Sequence, residues 1–482
     1  MSNLDFNNYF DDQSPDDMNR RIRKYRRAVQ SRKNPNELPS PDIIEDLVNY
    51  CLDNEKFVEA GEFANLWLEY YPYSSEAHTK KGLSALNLDM YETAISSFDN
   101  ALKFNPNDSE ILIYKADALE SMNELIIAEQ TIEFVLKLDP HNDDAYLIYG
   151  SILQKKADYD EAIRIYNFIV ESEDHKQEAL QELAVCYTIL SEYEKAIDCY
   201  NQLIDEDPYD FEQWFNLSLV YSYNNQYEKA IDCLDMTLAI EEDYYPAIVQ
   251  KGDNYSAIGK LAEAIEFYEL STEYVPFDKD VARNLASAYA DNEQFGHAIK
   301  LFTKLIEKHP YNYQAYFGRG ICLDALEQFD SALDDYNRAL EFNQSVAELW
   351  YAKGDTHYNL SQNYEAITAY KKVIEIDPFN IECMEDLGRL YLDLNMLDYS
   401  EEILTECLSL TPNHSEVSYL IGKIHSFNNR FKSAAKYFFN AFSINKDLIL
   451  LFDEERSDYK KNNVNIRKLR NAIEEYKSQQ SK

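Results

Sequence analysis

Apolar side chains recur along this chain in columns spaced by 34 residues rather than in long runs. One column reads Ala60, Ala94, Ala128, Ala162, Ala196, Ala230, Ala264, Ala298, Ala332, Ala366 and Ala434, broken only by Ser400. A second reads Gly82, Gly150, Gly252, Gly320, Gly354, Gly388 and Gly422. An aromatic column runs through Phe57, Tyr91, Tyr159, Tyr193, Tyr227, Phe295, Phe329 and Phe431. Small residues suit close helix crossings, where a larger side chain would clash. The aromatics suit the gaps between neighbouring helix pairs. Pro72, Pro106, Pro140, Pro208, Pro276, Pro310, Pro378 and Pro412 share one phase, where each stops a second helix and sets the next turn. Each period thus predicts two helices that are amphipathic on two faces and bury their surface only by stacking on neighbours.

Twelve periods tile residues 41–448 without insertion. This pattern resembles the tetratricopeptide repeat, whose first helix carries an aromatic, Leu-Gly and Tyr, and whose second carries Ala, Phe and Pro. Residues 211–244 supply Trp214, Leu217, Tyr221 and Ala230; residues 75–108 supply Gly82, Ala94, Phe98, Ala101 and Pro106. Residues 347–380 supply Trp350, Gly354, Ala366, Tyr370 and Pro378. The unbroken acidic array is similar to uncharacterised bacterial members of that family. The resemblance implies an all-α fold, a right-handed superhelical solenoid of helix-turn-helix hairpins. Three places depart from the pattern. Asp174 and Glu242 stand where Pro is usual, and Tyr364 falls one place after the usual aromatic, which predicts a locally shifted hairpin.

The flanks differ from the array. Residues 1–40 are read as an N-terminal acidic tail and a basic helix. Ser14-Pro15-Asp16-Asp17 is a helix start, with Ser as N-cap and Pro at the first turn. Met18, Ile22, Tyr25 and Val29 then share one face, and Arg20, Arg21, Arg23, Lys24, Arg26 and Arg27 cover the others. Residues 449–482 are read as a capping helix, with Ile466, Leu469, Ile473 and Tyr476 on one side, and a tail.

Charge changes the picture of partners. The chain of 482 residues has 46 basic and 87 acidic side chains, a net charge of −41. Residues 1–40 and 449–482 are each net +2, so the array carries −45. Such a surface repels phosphates and anionic lipid and makes nucleic acid an unfavoured partner. It favours basic or apolar ligands. The basic helix is expected either to pack on the acidic array, in its own chain or by exchange between chains, or to stand exposed and solvated.

Catalytic and metal motifs are absent from the sequence. The eight His show no zinc spacing, and no phosphate loop or nucleophile elbow occurs. His357 and His425 occupy a Tyr column and are read as packing residues. Seven scattered Cys without C-x-x-C read as reduced thiols, with Cys199 and Cys233 buried and inert. No apolar run approaches about 18 residues, so no transmembrane helix is expected, and the N-terminus lacks the features of a secretory signal. No cofactor and no catalysis are expected, and the location read from this is cytoplasmic. The second position of most repeats is acidic, which stabilises helix N-termini and also supplies an acidic rim.

In the resembled family, ligands lie in a concave groove lined by first helices. There, this chain offers Val185, Phe215, Leu219, Val249, Phe317, Ile321 and Tyr351 as an apolar stripe, with Arg283 and Asn284 within it. The Lys, Asn and Arg set with which some members clamp a chaperone's carboxylate tail is missing, which disfavours that partner. The reading is therefore a non-enzymatic scaffold or adaptor that holds a protein or peptide in its groove. The alternative is nucleic-acid or membrane-surface contact through Arg20–Arg27, with a regulatory subunit of an enzyme complex ranked behind it.

Overall fold

The computed structural model describes residues 15–31, 38–172, 175–462 and 464–480, which form helices joined by short turns, with no strand among them. The chain divides into two compact units, residues 1–244 and 245–482. Unit 1 begins with α1 (Pro15–Ser31) and continues as six hairpins. These are α2 (Pro41–Asp53) with α3 (Phe57–Tyr70), α4 (Ser75–Leu86) with α5 (Tyr91–Leu102), and α6 (Ser109–Ser121) with α7 (Leu125–Leu138). Then follow α8 (Asp143–Lys155) with α9 (Tyr159–Ile169), α10 (Lys176–Ile189) with α11 (Tyr193–Glu206), and α12 (Phe211–Tyr223) with α13 (Tyr227–Ile240).

Unit 2 repeats the plan with α14 (Tyr245–Ala257) and α15 (Leu261–Tyr274), α16 (Lys279–Asp291) and α17 (Phe295–Lys308), and α18 (Tyr313–Ala325) and α19 (Phe329–Phe342). It continues with α20 (Ala347–Asn359) and α21 (Asn363–Ile376), α22 (Ile381–Asp393) and α23 (Leu397–Leu410), and α24 (Ser415–Phe427) and α25 (Phe431–Ile444). It closes with α26 (Asp447–Glu454), α27 (Arg456–Lys461) and α28 (Ile466–Gln480). Within each unit a helix packs on its hairpin partner and on the adjoining hairpin, as in a solenoid.

Positions below are counted from 1 to 34, with position 1 at Pro41, Ser75 and every 34 residues onward. Position 20, the Ala column, is fully buried throughout. Ser400 fits there because its hydroxyl donates to Gly388 O at 2.6 Å. Glycine at position 8 faces the large side chain at position 24 of the same hairpin: Gly82 meets Phe98, Gly150 meets Tyr166, and Gly354 meets Tyr370. A Cβ on Gly354 would stand 2.6 Å from Tyr370 Cε1, inside van der Waals contact.

The turn between the two helices of each hairpin is the same twelve times. Position 15 takes a left-handed φ at Glu55, Asp89, Asn123, Ala157, Ser191, Asn225, Gly259, Glu293, Glu327, Ser361, Asn395 and Asn429. The next amide donates back five residues, as from Lys56 N to Cys51 O (2.8 Å) and from Gln328 N to Leu323 O (2.8 Å). This is the Schellman closure, which satisfies a carbonyl at the helix end. Between hairpins, Ser74, Asp108, Asn142, Asp210, Asp278, Asn312 and Asn380 cap the following helix by accepting from its first-turn amides.

The shift expected at Tyr364 does not occur. Asn363 opens α21 in step with Phe329 and Leu397, and Tyr364 points outward at 73% exposure. The turn and caps hold the register, so the aromatic yields its place. Of the other two departures, Asp174 lies outside the described residues, and Glu242 sits in the turn after α13.

Both ends of the array are covered by the chain itself. Met18 and Ile22 of α1 are buried with Leu47, Val48 and Phe63, and Arg26 ties α1 to Glu59 and Glu62 of α3 at 2.5 and 2.8 Å. At the other end α28 packs on α25, with Leu469 fully buried beside Phe438, Phe452 and Tyr459.

Candidate functional site

First helices present positions 5, 6, 9, 12 and 13 along one face, because these positions are three or four residues apart. In unit 1, Val185 is 37% exposed, while Phe215 and Leu219 are half-buried. The Phe215 ring sits edge-on to Tyr244 at 5.2 Å. In unit 2, Ile321 is 40% exposed, and Val249, Phe317 and Tyr351 are half-buried. Phe317 packs 6.1 Å from Tyr336, and Tyr351 packs 5.8 Å from Tyr370, each on the second helix of its own hairpin. These side chains therefore share their area between hairpin core and surface.

Arg283 bonds Asp280 at 3.0 Å and reaches Asn284 Oδ1 at 3.3 Å. Asn284 in turn donates to Asp253 Oδ1 at 3.0 Å, and Tyr268 donates to the same oxygen at 2.6 Å. The carboxylate at position 9 of one hairpin is thus met by the tyrosine at position 24 and by an amide at position 6 of the next.

The same constellation returns at Asp355, with one exchange. Tyr370 donates to Asp355 Oδ1 at 2.6 Å, but position 6 of the next hairpin is Asp386, which accepts from Tyr351 at 2.6 Å. Asp324, at position 12 of the preceding hairpin, completes a diagonal of three carboxylates from α18, α20 and α22. Burial, reinforced by Asp386, Asp324 and Glu382, pushes the Asp355 carboxyl up to about 6 against the pull of Tyr370. Burial also raises Asp324.

Unit 1 holds a neutralised counterpart. Glu120, only 5% exposed at position 12, pairs with Lys155 at 3.0 Å and accepts from Ser151 at 2.5 Å. At the end of the array in unit 2, Lys423 and Tyr419 are occupied by Glu455 at 2.9 and 2.6 Å, so the chain covers its own last hairpin.

On α1, Arg20, Arg21, Arg23, Lys24 and Arg27 are exposed, whereas Arg26 is spent on α3. Nothing in these positions assembles a catalytic set. The seven cysteines are free and buried, and burial lifts Cys199 to about 11 and Cys233 to about 12, far from a reactive thiolate. His425 lies flat on Tyr437 at 5.3 Å, and His414 caps α24. Among the described residues no helix is long and apolar enough to cross a membrane.

Sequence reasoning missed the three-carboxylate diagonal because acids abound at every surface position. The signal available was its spacing: Asp324, Asp355 and Asp386 are 31 residues apart, one turn less than the period, which keeps them on one line across adjacent helices.

Family models described as tetratricopeptide repeat match residues 150–211 and 283–347, and residues 75–108, 212–241, 245–276, 347–380 and 381–414. Together these cover more than half of the chain. BBSome complex member BBS4 of Bos taurus is 24% identical over 182 residues, 36% of this chain and 34% of its own length. Heat shock protein STI1 of Saccharomyces cerevisiae is 31% identical over 137 residues, 26% of this chain and 23% of its own. The chain thus spans about a quarter to a third of the length of these curated relatives. The crystal structure of yeast Tom70 aligns at 15% identity and a TM-score of 0.40, over 82% of this chain and 97% of that one.

Proposed function

Because the chain belongs to the tetratricopeptide repeat family, we propose that it works as a non-enzymatic scaffold whose first-helix faces hold a protein or peptide with basic and apolar side chains. The observation that carries this reading is the pairing of half-exposed apolar side chains, Ile321 and Phe317 among them, with unneutralised carboxylates on the same face. Apolar surface rimmed by charge of one sign favours a complementary partner helix or strand. The bovine relative is by name a member of a complex, which supports an assembly role for this chain. The chaperone-type clamp is disfavoured here too: Arg283 is engaged by Asp280 and Asn284. Buried free thiols suit a reducing, cytoplasmic setting.

Capture of partners from lysate by the intact chain, with Phe215→Glu and Phe317→Glu variants of unchanged helicity alongside, tests the reading. Partners lost in either variant support it; partners retained in both refute it. The five exposed basic residues of α1 favour a second reading, contact with a phosphate-bearing surface. Binding of nucleic acid or anionic vesicles that vanishes on neutralising Arg20, Arg21, Arg23, Lys24 and Arg27 would establish it.

A further inference from the structure

We propose that the cavity walled by α25, α26 and α28 in unit 2 is a second docking site, and that its occupant is an acidic amphipathic helix of a partner protein. No first helix of a hairpin contributes to this cavity. The site is therefore separate from the first-helix face and takes a partner of the opposite charge.

The cavity has a volume of about 660 Å³. Phe439, Phe442, Ile449, Phe452 and Ile473 give it an apolar lining. Phe452 is buried, Phe439, Phe442 and Ile473 are half-buried, and Ile449 is 43% exposed. The two long walls have helical spacing: residues 439, 442, 443 and 446 on and just past α25, and residues 470, 473, 474 and 477 on α28. Positions i, i+3, i+4 and i+7 share one face, so each wall runs over two turns, about 10 Å. The trough exists because the terminal helices cover the last hairpin incompletely. Tyr476 meets Phe439 edge-on at 5.5 Å and Phe452 meets Phe442 at 5.9 Å, and the other sides of the Phe439 and Phe442 rings line the cavity. A trough between two helix faces suits the apolar stripe of a third helix.

The repeat itself sets this place apart. Position 25, on the second helix, holds Asn, Asp, Glu, Thr or Lys in the other eleven hairpins and an aromatic only at Phe439. Position 32 is Pro in eight hairpins and a cation only at Lys446. The last hairpin thus gains an apolar ring where the period calls for a polar side chain, and a positive charge where it calls for a helix stop.

Charge selects the partner. Residues 430–482 hold twelve basic and seven acidic side chains, net +5, which leaves −46 on the rest of a chain whose total is −41. At the cavity the charged groups are Lys446 just past α25, Asp453 from α26, and Arg470, Glu474 and Lys477 from α28. Arg470 is bonded to Asp453, and the rim as a whole has three cations against two carboxylates. A helix with carboxylates beside its apolar stripe is attracted to such a rim, and a lysine-rich one is repelled. Leu450, 65% exposed, extends the exposed apolar surface of α26 beyond the lining, so a helix covers more of it than a small amphiphile does.

The test uses the full chain and two fluorescent peptides with leucine and phenylalanine at i, i+3, i+4 and i+7. One has glutamate at its polar positions, the other lysine. Anisotropy should show the glutamate peptide binding at low salt and weakening as salt is added. Ile449→Glu and Lys446→Glu should each weaken it about tenfold. Ile126→Glu, which adds the same charge at a site 69% exposed on α7, should leave it unchanged, as should Phe215→Glu and Phe317→Glu. Equal binding by wild type, Ile449→Glu and Lys446→Glu, all of native helicity, overturns the site, and so does no binding of the glutamate peptide. A lysine peptide that binds as tightly and is lost with Ile449→Glu overturns the acidic partner. Sedimentation of the chain alone adds an arm: a dimer that Ile449→Glu converts to monomer puts a second copy in the trough and overturns an outside partner. Dodecanoate bound there more tightly than the glutamate peptide assigns a lipid instead and overturns the helix. Because the Phe215→Glu and Phe317→Glu variants leave this binding intact, its failure and that of the scaffold reading are distinguishable.

Discussion

At the scale of single residues, two kinds of side chain carry the argument, and only one was legible in advance. Glycine at position 8 stands out in a chain with 11 glycines, and the structure supplies the reason in the ring of Tyr370 or Phe98. Gly354→Leu should cost about 1–3 kcal/mol by overpacking, read as a lower melting temperature. The carboxylates were opaque because 87 acids hide three, and their meaning comes from what faces them. Asp355 has a folded pKa of about 6, above its unfolded value. Between about pH 4 and 6 the native chain keeps a proton that the unfolded chain has lost, so this residue's contribution to stability falls as pH rises through that window. Asp355→Asn should therefore be more stable than wild type by about 1–2 kcal/mol at pH 7.5, and the advantage should fade toward pH 4. Denaturant titrations at the two pH values check this. Phe317 and Tyr351 were read from spacing as groove residues, whereas their contact with Tyr336 and Tyr370 depends on side-chain direction, which spacing does not give.

At the scale of elements, the helices were readable from their apolar columns and the turns between them were not. Position 15 holds Glu, Asp, Asn, Ala, Ser and a single Gly, so no residue type marks a left-handed conformation that every hairpin adopts. The backbone geometry is set by the Schellman closure and not by the side chain. A non-glycine residue in this region is strained, by about 1–2 kcal/mol for the ordinary side chains. Glu327→Gly should relieve part of that and raise stability by a few tenths to about 1 kcal/mol, since glycine's extra unfolded freedom offsets the rest. Calorimetry on Glu327→Gly and Ala157→Gly checks it; a loss at both sites would contradict the closure as described. The terminal helix α1 was legible as amphipathic, but its seat against α3 was not, because Arg26 reaches Glu59 and Glu62 more than thirty residues away. Deleting residues 1–34 uncovers Leu47, Val48 and Phe63. It should speed amide exchange in α2 and α3 well before exchange in α10 and α11.

At the scale of the whole molecule, a net charge of −41 sets a background that no single pair explains. At 0.1 M, salt screens like charges more than about 10 Å apart, so the melting temperature should rise with sodium chloride at low ionic strength. A flat or falling curve would show that local ion pairs such as Arg26 with Glu62 and Lys155 with Glu120 outweigh the mean field. The uniform turn has a further meaning for the gene behind the chain. Every turn falls in the same phase, so removing the stretch from Asn225 through Ile258 would join Asn224 to Gly259 and keep a left-handed residue at position 15. Whole-module changes in length keep the turn in phase, but each new hairpin must also match its position 8 to its position 24, as Gly354 does the ring of Tyr370.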